Sequence, residues 1–326
     1  MSRHSRQTLG LFPGCAALLL MQIWVGAHCA VAWGQAPPPI PTNRLVINNL
    51  SLFRWNPIGL ENQFRMGFAH KLYDRDDSKA LRDNFVWAGT FLRTNPAAVR
   101  AAAMLEVQPL SLVNLRFSAE YFRFFGSFTF MQSRPSAASE LSDSHMKANK
   151  EGALANYASD GVHLTFEPLL QAKVGPIAVR NRAFFGWFSA NLQRGDRVWY
   201  EATLDIAVPG TGWVFANDFD ILYQMQLGEA MLTTGIRVSS VVPQYDARHL
   251  LAGEALGGIA NGHHRAGLLA AYTFYDRGYT TFNKPSVLLI ASWYLDHRYR
   301  TGSDVSRAVP YVVLGFAFQS DLLDAR

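Results

Sequence analysis

The chain has 326 residues and a formal charge of +5, with 49% hydrophobic, 13% aromatic and 17% charged side chains. Soluble domains carry roughly 25% charged residues, so this apolar, weakly charged composition excludes a disordered chain and gives no support for nucleic-acid binding. The 25 Gly and 15 Pro follow no collagen period, and two Cys are too few for a disulfide-stapled miniprotein.

The first 32 residues have the pattern of a cleavable secretory signal. Positive residues lie at 3–6, an apolar run at 9–27 and an Ala-x-Ala site at 30–32. We therefore expect a signal peptide at 1–32 and export of the remaining chain, which then contains no cysteine. An uncleaved N-terminal membrane helix is the alternative. A Pro-rich stretch at 33–42 is predicted to be a periplasmic spacer.

Apolar runs after the signal are too short for membrane helices, which need about 20 residues. Instead, segment after segment alternates apolar and polar side chains with the period of a β-strand. In chain order, strands are predicted at 61–73, 84–94, 98–108, 112–121, 162–174, 177–190, 197–208, 213–227, 231–242, 264–276, 286–297 and 309–319. A further segment at 44–54 alternates poorly and is a doubtful thirteenth strand.

This pattern predicts an all-β fold: one antiparallel transmembrane β-barrel domain at 43–326 with about 12 strands, 10 or 14 being alternatives. Strands of 10 or more residues exceed the usual soluble length near 5–6, which weighs against a soluble β-sandwich. The clearest apolar face belongs to 197–208. Counting strands back from a periplasmic C-terminus puts the long loop 243–263 outside but the long loop 126–160 inside. Long loops should lie outside, so either one strand is miscounted or one loop breaks the rule.

The last predicted strand carries an alternating apolar face that reaches an aromatic residue. Its residues are Tyr311, Val312, Leu314, Phe316 and Phe318. This pattern resembles the closing strand of Gram-negative outer-membrane β-barrels, although here residues 319–326 extend past the aromatic. The segments 54–61 (RWNPIGLE) and 297–302 (HRYRTG) are similar to uncharacterised outer-membrane barrel proteins. The resemblance implies an outer-membrane location, contact with outer-membrane lipid, and the barrel-assembly machinery as a partner during biogenesis.

Candidate catalytic and metal-binding residues are sparse. Outer-membrane lipid hydrolases resemble the predicted architecture and place a His two residues before a nucleophilic Ser on one strand face. After residue 32 the nearest pattern is His163-Leu164-Thr165, which we interpret as a lumen-lining polar pair. Ser292 and His264 are an alternative pair assembled across strands. We expect no catalytic residue, no cofactor and no metal.

With the polar strand faces turned inward, seven basic residues oppose seven acidic residues in the lumen. The basic residues are Arg65, Lys71, Arg100, Arg116, Lys173, Arg197 and Arg237, and the acidic residues are Glu106, Glu120, Glu167, Glu201, Asp205, Asp218 and Asp220. Balanced charge suits cross-strand pairing, whereas an ion-selective pore favours one sign at its constriction.

The sequence thus favours a small-solute channel or transporter of the outer membrane. A structural or surface-binding barrel with a closed lumen is the alternative, and for it the best binding surface is the loop 126–160 with His145, Lys147 and Lys150. A lipid-modifying enzyme is the third possibility. Oligomeric state and solute stay open.

Overall fold

The structure is a computed structural model that describes residues 40–75, 77–149 and 152–323. The predicted signal peptide lies outside these residues. Twelve antiparallel strands close into a barrel. They are β1 (Asn43–Trp55), β2 (Gly59–His70), β3 (Phe85–Asn95), β4 (Ala98–Leu110), β5 (Val113–Phe125), β7 (Ala158–Val174), β8 (Ile177–Ala190), β11 (Thr211–Leu227), β12 (Ala230–Pro243), β13 (His263–Thr273), β14 (Asn283–His297) and β15 (Tyr311–Asp321). Three short strands, β6 (Ser133–Arg134), β9 (Val198–Glu201) and β10 (Ile206–Pro209), form a separate sheet, the inner sheet. The predicted transmembrane barrel of twelve strands is confirmed.

Every barrel strand alternates between an outward and an inward face, as the period-two pattern requires. On β5, Phe117 and Tyr121 point outward and are 44% and 50% exposed, whereas Arg116 and Glu120 point inward and are buried. An apolar exterior around a polar interior is the arrangement of a membrane barrel, because the exterior meets lipid instead of water.

The two ends of the barrel differ in their connections. At one end, here called the turn end, two-residue turns at 111–112, 175–176 and 228–229 and the longer connections 71–84 and 274–282 join neighbouring strands. At the opposite end, the loop end, lie the long connections 126–157, 191–210, 244–262 and 298–310. Gly175 and Gly228 have positive φ angles of 58° and 65°, which tight hairpin turns require. The first and last described residues both lie at the turn end.

The prediction that 197–208 forms one strand of the barrel is wrong. Residues 198–201 and 206–209 pair as a hairpin, the plug hairpin, and β9 also pairs with β6. The doubtful segment 44–54, in contrast, is the barrel strand β1, which pairs with both β2 and β15. The count of twelve survives because the two errors cancel. Removing 197–208 from the barrel also places both long loops, 126–157 and 244–262, at the same end.

The plug hairpin lies inside the barrel at the loop end. Its side chains Trp199, Leu204, Ile206 and Val208 pack in one buried apolar cluster with inward-facing residues of five wall strands. Those wall residues are Ala98, Phe122, Phe124, Phe184, Phe188, Val214, Ala216 and Val241. Leu204 is therefore inside the lumen and not at the lipid face that the sequence predicted.

Helices are few and short. One α-helix, α1 (Asp143–Ala148), begins after the N-cap Ser142, whose hydroxyl accepts from the backbone of His145. Single 3₁₀ turns lie at Gly152–Leu154, Ala247–His249 and Leu256–Gly258. Within the described ranges, no helix is long and apolar enough to cross a membrane.

Apolar side chains also fill much of the lumen below the plug hairpin. One cluster joins β1, β11, β13, β14 and β15 through residues that include Leu50, Leu269, Leu288 and Val313. A second, nearer the turn end, groups Val46, Ala69, Trp87, Phe91, Ala102 and Met104. These two clusters pack inward side chains on two sides of the barrel, so much of the lumen is occupied by apolar side chains.

Candidate functional site

Nine of the fourteen predicted lumen residues lie on the inward face of wall strands and are at most 6% exposed. They are Arg65, Arg100, Glu106, Arg116, Glu120, Glu167, Asp218, Asp220 and Arg237. Lys173 shares the inward face of β7 with Glu167 but is only partly buried. Lys71 follows β2 at the turn end, where its ammonium group lies 2.8 Å from an Asp74 carboxylate oxygen.

The other three, Arg197, Glu201 and Asp205, are not wall residues. Arg197 precedes the plug hairpin and donates a hydrogen bond to the Leu250 carbonyl. Glu201 and Asp205 lie in the plug hairpin and are 1% and 2% exposed. They face charged wall and loop residues inside the barrel, so their environment is polar although they do not line a wall strand.

A first ion-pair network lies between β2, β4, β5 and β7. Arg65 Nη2 donates to Glu106 Oε2 at 2.6 Å, and Arg116 reaches the same oxygen at 3.2 Å and Glu167 at 3.5 Å. The Asn114 amide adds a hydrogen bond of 2.8 Å to the other oxygen of Glu106. These inward side chains belong to one side of the wall, where they form a buried layer of paired charges inside the lumen.

A second network fastens the plug hairpin to the wall. Arg93 donates two hydrogen bonds of 3.1 and 3.0 Å to Glu120, which also receives Arg100 at 3.4 Å. Arg100 in turn donates to Glu201 of the plug hairpin. His163 approaches Glu120 at 3.3 Å and stacks on Phe188 with a centroid distance of 3.9 Å. Sequence reasoning missed Arg93, because β3 has mostly apolar residues on both faces.

A third network joins β8, β11 and β12. Asp220 accepts from Arg237 at 2.6 and 2.9 Å and from Arg180 at 2.8 Å. Asp218 lies 3.1 Å from Arg237 and accepts the Ser239 hydroxyl at 2.6 Å. Arg237 is therefore neutralised by two carboxylates.

Asp205, at the tip of the plug hairpin, is the most heavily hydrogen-bonded carboxylate in this region. It accepts from Arg300 at 2.6 and 2.8 Å, from the Tyr200 hydroxyl at 2.6 Å and from the Tyr294 hydroxyl at 2.7 Å. Arg300, from the 298–310 loop, also donates to both oxygens of Asp143 at 3.0 and 2.9 Å. One arginine thus ties the hairpin tip to the helix α1.

The charge states at this tip follow from burial and the neighbouring charges. Burial acts to raise the pKa of the Asp205 carboxyl, but Arg300 overrides it and holds that pKa well below its usual range. Burial and the Asp205 charge both raise the pKa of Tyr200 well above its usual range. The ion pair of Asp205 and Arg300 therefore coexists with a neutral Tyr200 at pH 7.

Backbone carbonyls of the hairpin tip are also held by the barrel wall. Arg54 donates to the Ala202 carbonyl at 3.1 Å, and a ring nitrogen of His263 lies 3.0 Å from the Leu204 carbonyl. Together with Tyr294 at Asp205, wall residues therefore hold three of the four tip residues 202–205 by hydrogen bonds.

The predicted closing strand is β15, which pairs with β1 to complete the barrel. Val312, Leu314, Phe316 and Phe318 share its outward face, whereas Tyr311 points inward and is 5% exposed. The Arg265 guanidinium lies over the Tyr311 ring at 3.9 Å from its centroid.

The candidate nucleophiles do not meet their bases. The Thr165 hydroxyl lies 2.5 Å from the Ser118 hydroxyl, while His163 is turned to Glu120. Ser292 is buried in the lumen, whereas His264 is exposed on the opposite face of its strand. Across the described part of the chain, no three His, Cys, Asp or Glu residues are grouped so as to hold a metal ion. The expectation of no enzyme activity stays a prediction.

These observations define a transmembrane β-barrel whose lumen is filled by its own plug hairpin, ion pairs and apolar clusters. No protein-family model and no curated protein sequence matches the chain. Among solved structures, the β-domain of the Bordetella autotransporter Brka aligns over 86% of this chain and 99% of its own, with 9% identity and a TM-score of 0.46.

Two further solved structures align over a similar share of this chain, with somewhat lower TM-scores. The translocator domain of the autotransporter NalP from Neisseria meningitidis covers 87% of this chain and 89% of its own, with 10% identity and a TM-score of 0.42. OccAB1 from Acinetobacter baumannii covers 86% and 96%, with 8% identity and a TM-score of 0.37. Similarity this low transfers no function to this chain.

Proposed function

We propose that the protein is an outer-membrane barrel with a closed lumen that acts through its loop end, as a structural or surface-binding protein. One observation carries the proposal, namely the continuous filling of the lumen. The plug hairpin occupies the loop half, and the networks around Glu106 and Asp220 lie with the two apolar clusters below it.

Ion pairs make this filling costly to open. A solute passing between Arg65, Glu106 and Arg116 would separate charges that are at most 5% exposed. Unpairing a buried charge costs about 3–5 kcal/mol, and Arg116 also pairs with Glu167 beside them. Two cavities that border described lumen residues measure about 20 and 30 Å³, which is room for about one water molecule each.

The outer membrane is the location that best fits the surface. The exterior is apolar along the strands, and the signal-like segment 1–32 supports export. Barrels of that membrane have short periplasmic turns and longer outside loops. The turn end then faces the periplasm, and the connections 126–157, 191–210, 244–262 and 298–310 face outward. Lipid and the assembly machinery as partners stay predictions.

The exposed surface at the loop end differs from the predicted one. The connection 126–157 turns largely inward, since Met131, Leu141 and Met146 are buried. On α1, Lys147 is exposed and His145 is partly buried, and Lys150 lies outside the described residues. The connection 244–262 instead presents exposed apolar side chains, including Leu251 and Leu256 at 44% and 47%. We therefore extend the candidate binding surface to this connection.

The small-solute channel stays a prediction, and conductance separates it from the closed barrel. Purified protein is reconstituted in planar bilayers and in liposomes, and current steps and swelling in small sugars are measured. We expect no current steps and no swelling for the parent protein. We expect the same for Asp205→Asn, because the ion-pair networks and apolar clusters below the plug hairpin persist in that variant. Steps in the parent protein would refute the closed lumen. Steps in the variant alone would make the plug hairpin the gate of a channel.

A further inference from the structure

A small cavity lined by several charged side chains lies directly beneath the tip of the plug hairpin. Its volume is about 20 Å³, and Thr203 of the hairpin forms part of its lining. The remaining lining residues come from β1, β2, β11, β12, β13, β14 and β15. Among them are three arginines, Arg54, Arg237 and Arg265, but only two carboxylates, Glu61 and Asp218.

Two of these arginines form no direct ion pair with a carboxylate of the described residues. Arg265 is 6% exposed, and its described contact is the Tyr311 ring; no described carboxylate forms an ion pair with it. Arg54 is 8% exposed and donates to the Ala202 carbonyl. It likewise forms no ion pair with a carboxylate in the described part of the chain. Buried guanidinium groups ordinarily pair with anions, because an uncompensated charge in the interior is costly.

A hydroxyl donor at the cavity has no hydrogen-bond partner among the described residues. Ser292 is 1% exposed, and its hydroxyl has no hydrogen-bond partner among the described residues. Leaving such a group unpaired is unfavourable, so a buried hydroxyl that borders a cavity normally meets something inside it. Glu61 has one carboxylate oxygen, Oε2, in the same situation, while its other oxygen accepts from Gln63.

We propose that this cavity binds a small monovalent anion of the halide class, with Arg265, Arg54 and Ser292 as donors. Arg237 and Arg180 are balanced by Asp218 and Asp220, so Arg54 and Arg265 against Glu61 leave one positive charge at the cavity, which one monovalent anion neutralises. The volume admits about one water-sized body, which excludes phosphate and organic carboxylates. A water molecule bridging Glu61 and Ser292 is the competing occupant.

Halide-dependent stability tests the proposal whether or not the loop end binds a partner. The protein is refolded in detergent with rising sodium chloride or bromide, exchanged against sodium gluconate at constant ionic strength, and its unfolding midpoint is measured. We expect a saturable rise with either halide. Arg265→Gln should abolish the rise, and Arg123→Gln, outside the lumen with a half-exposed side chain, should retain it.

Ser292→Ala guards against a variant that fails to fold, because it removes only one unpaired hydroxyl. Losing a hydrogen bond to a charged ligand should raise the halide concentration at half-saturation about tenfold. Crystals grown in bromide should show an anomalous peak in the cavity. A midpoint that is equal in halide and gluconate, or a rise that Arg265→Gln retains, would show that water alone occupies the cavity and would overturn the proposal.

Discussion

Replacing Asp205 by asparagine removes the charge that holds the tip of the plug hairpin. Asparagine keeps the size of the side chain and tolerates the left-handed backbone at this position, where φ is 56°. It loses the charged hydrogen bonds from Arg300 and weakens those from Tyr200 and Tyr294. The substitution therefore tests the ion pair without adding backbone strain.

The expected loss of stability depends on the hydrogen-bond partners that Arg300 retains in the variant. Removing one partner of a buried ion pair costs about 3–5 kcal/mol when the other charge is left uncompensated. Arg300 retains Asp143 and donates to Asn56 at 2.9 Å, so we expect the lower limit, about 3 kcal/mol. Since 1.4 kcal/mol is a tenfold change, the opening equilibrium of the hairpin should rise on the order of 100-fold.

Thiol labelling measures this opening. Ala207, 6% exposed on β10, is changed to cysteine in a chain whose Cys15 and Cys29 are replaced by serine. Where reclosing is fast, the labelling rate follows the equilibrium population of the open form. The Asp205→Asn variant should label on the order of 100-fold faster than its parent. Asp246→Asn, which breaks the exposed pair with Arg248, is the matched control and should label at the parental rate.

The pH dependence has a definite sign. Folding lowers the pKa of Asp205, so its carboxylate stabilises the closed hairpin at every pH above the pKa that Asp205 has in the unfolded chain. This stabilisation is lost only as the pH falls through the lower pKa of Asp205 in the folded protein. The rate ratio of variant to parent should thus be equal at about pH 6 and about pH 8. A ratio below about threefold at both values would refute the ion pair as the anchor of the hairpin.

Two further substitutions test the wall. Phe316→Arg, on the outward face of β15, should lower the free energy of unfolding by about 2–4 kcal/mol in a vesicle titration if the site is near the bilayer midplane. Val174→Arg, at the turn end, should lower it by about 0–1 kcal/mol. Equal losses for the two variants would contradict the membrane placement. Glu106→Gln should cost about 3–5 kcal/mol because it leaves Arg65 and Arg116 without their shared carboxylate, and adding Arg65→Met should restore part of the loss. No recovery in the double variant would show that this network is not held by charge.

The sequence predicted the barrel because most wall strands meet two different environments. On β5 the outward Phe117 and Tyr121 alternate with the inward Arg116 and Glu120, so the period is plain. It failed at β1, where the inward Val46, Leu50 and Leu52 pack in the lumen clusters. Both faces of that strand then mix apolar and polar residues, and the apolar residues that fill the lumen weaken the alternation that an open lumen would produce.

The opposite error at 197–208 has a related cause. Residues 198–201 and 206–209 are strands of the inner sheet, so they keep the period of two although both faces are buried. The turn between them contains no Gly or Pro, and its residue with a positive φ is Asp205. Aspartate tolerates this backbone conformation, but in the sequence it is a weaker turn signal than Gly or Pro. A long alternating run therefore concealed a hairpin tip.

The predicted balance of seven bases against seven acids shows where sequence reasoning about the lumen ends. Faces can be assigned from alternation, but partners such as Arg65 and Glu106 lie two strands apart and meet only because the wall curves. The bases that escaped the count include Arg54 and Arg265, on strands whose faces are mixed. Neither forms a direct ion pair with a described carboxylate at the cavity, so an apparently neutral lumen conceals a local positive excess, and that excess is the physical reason to expect an anion there.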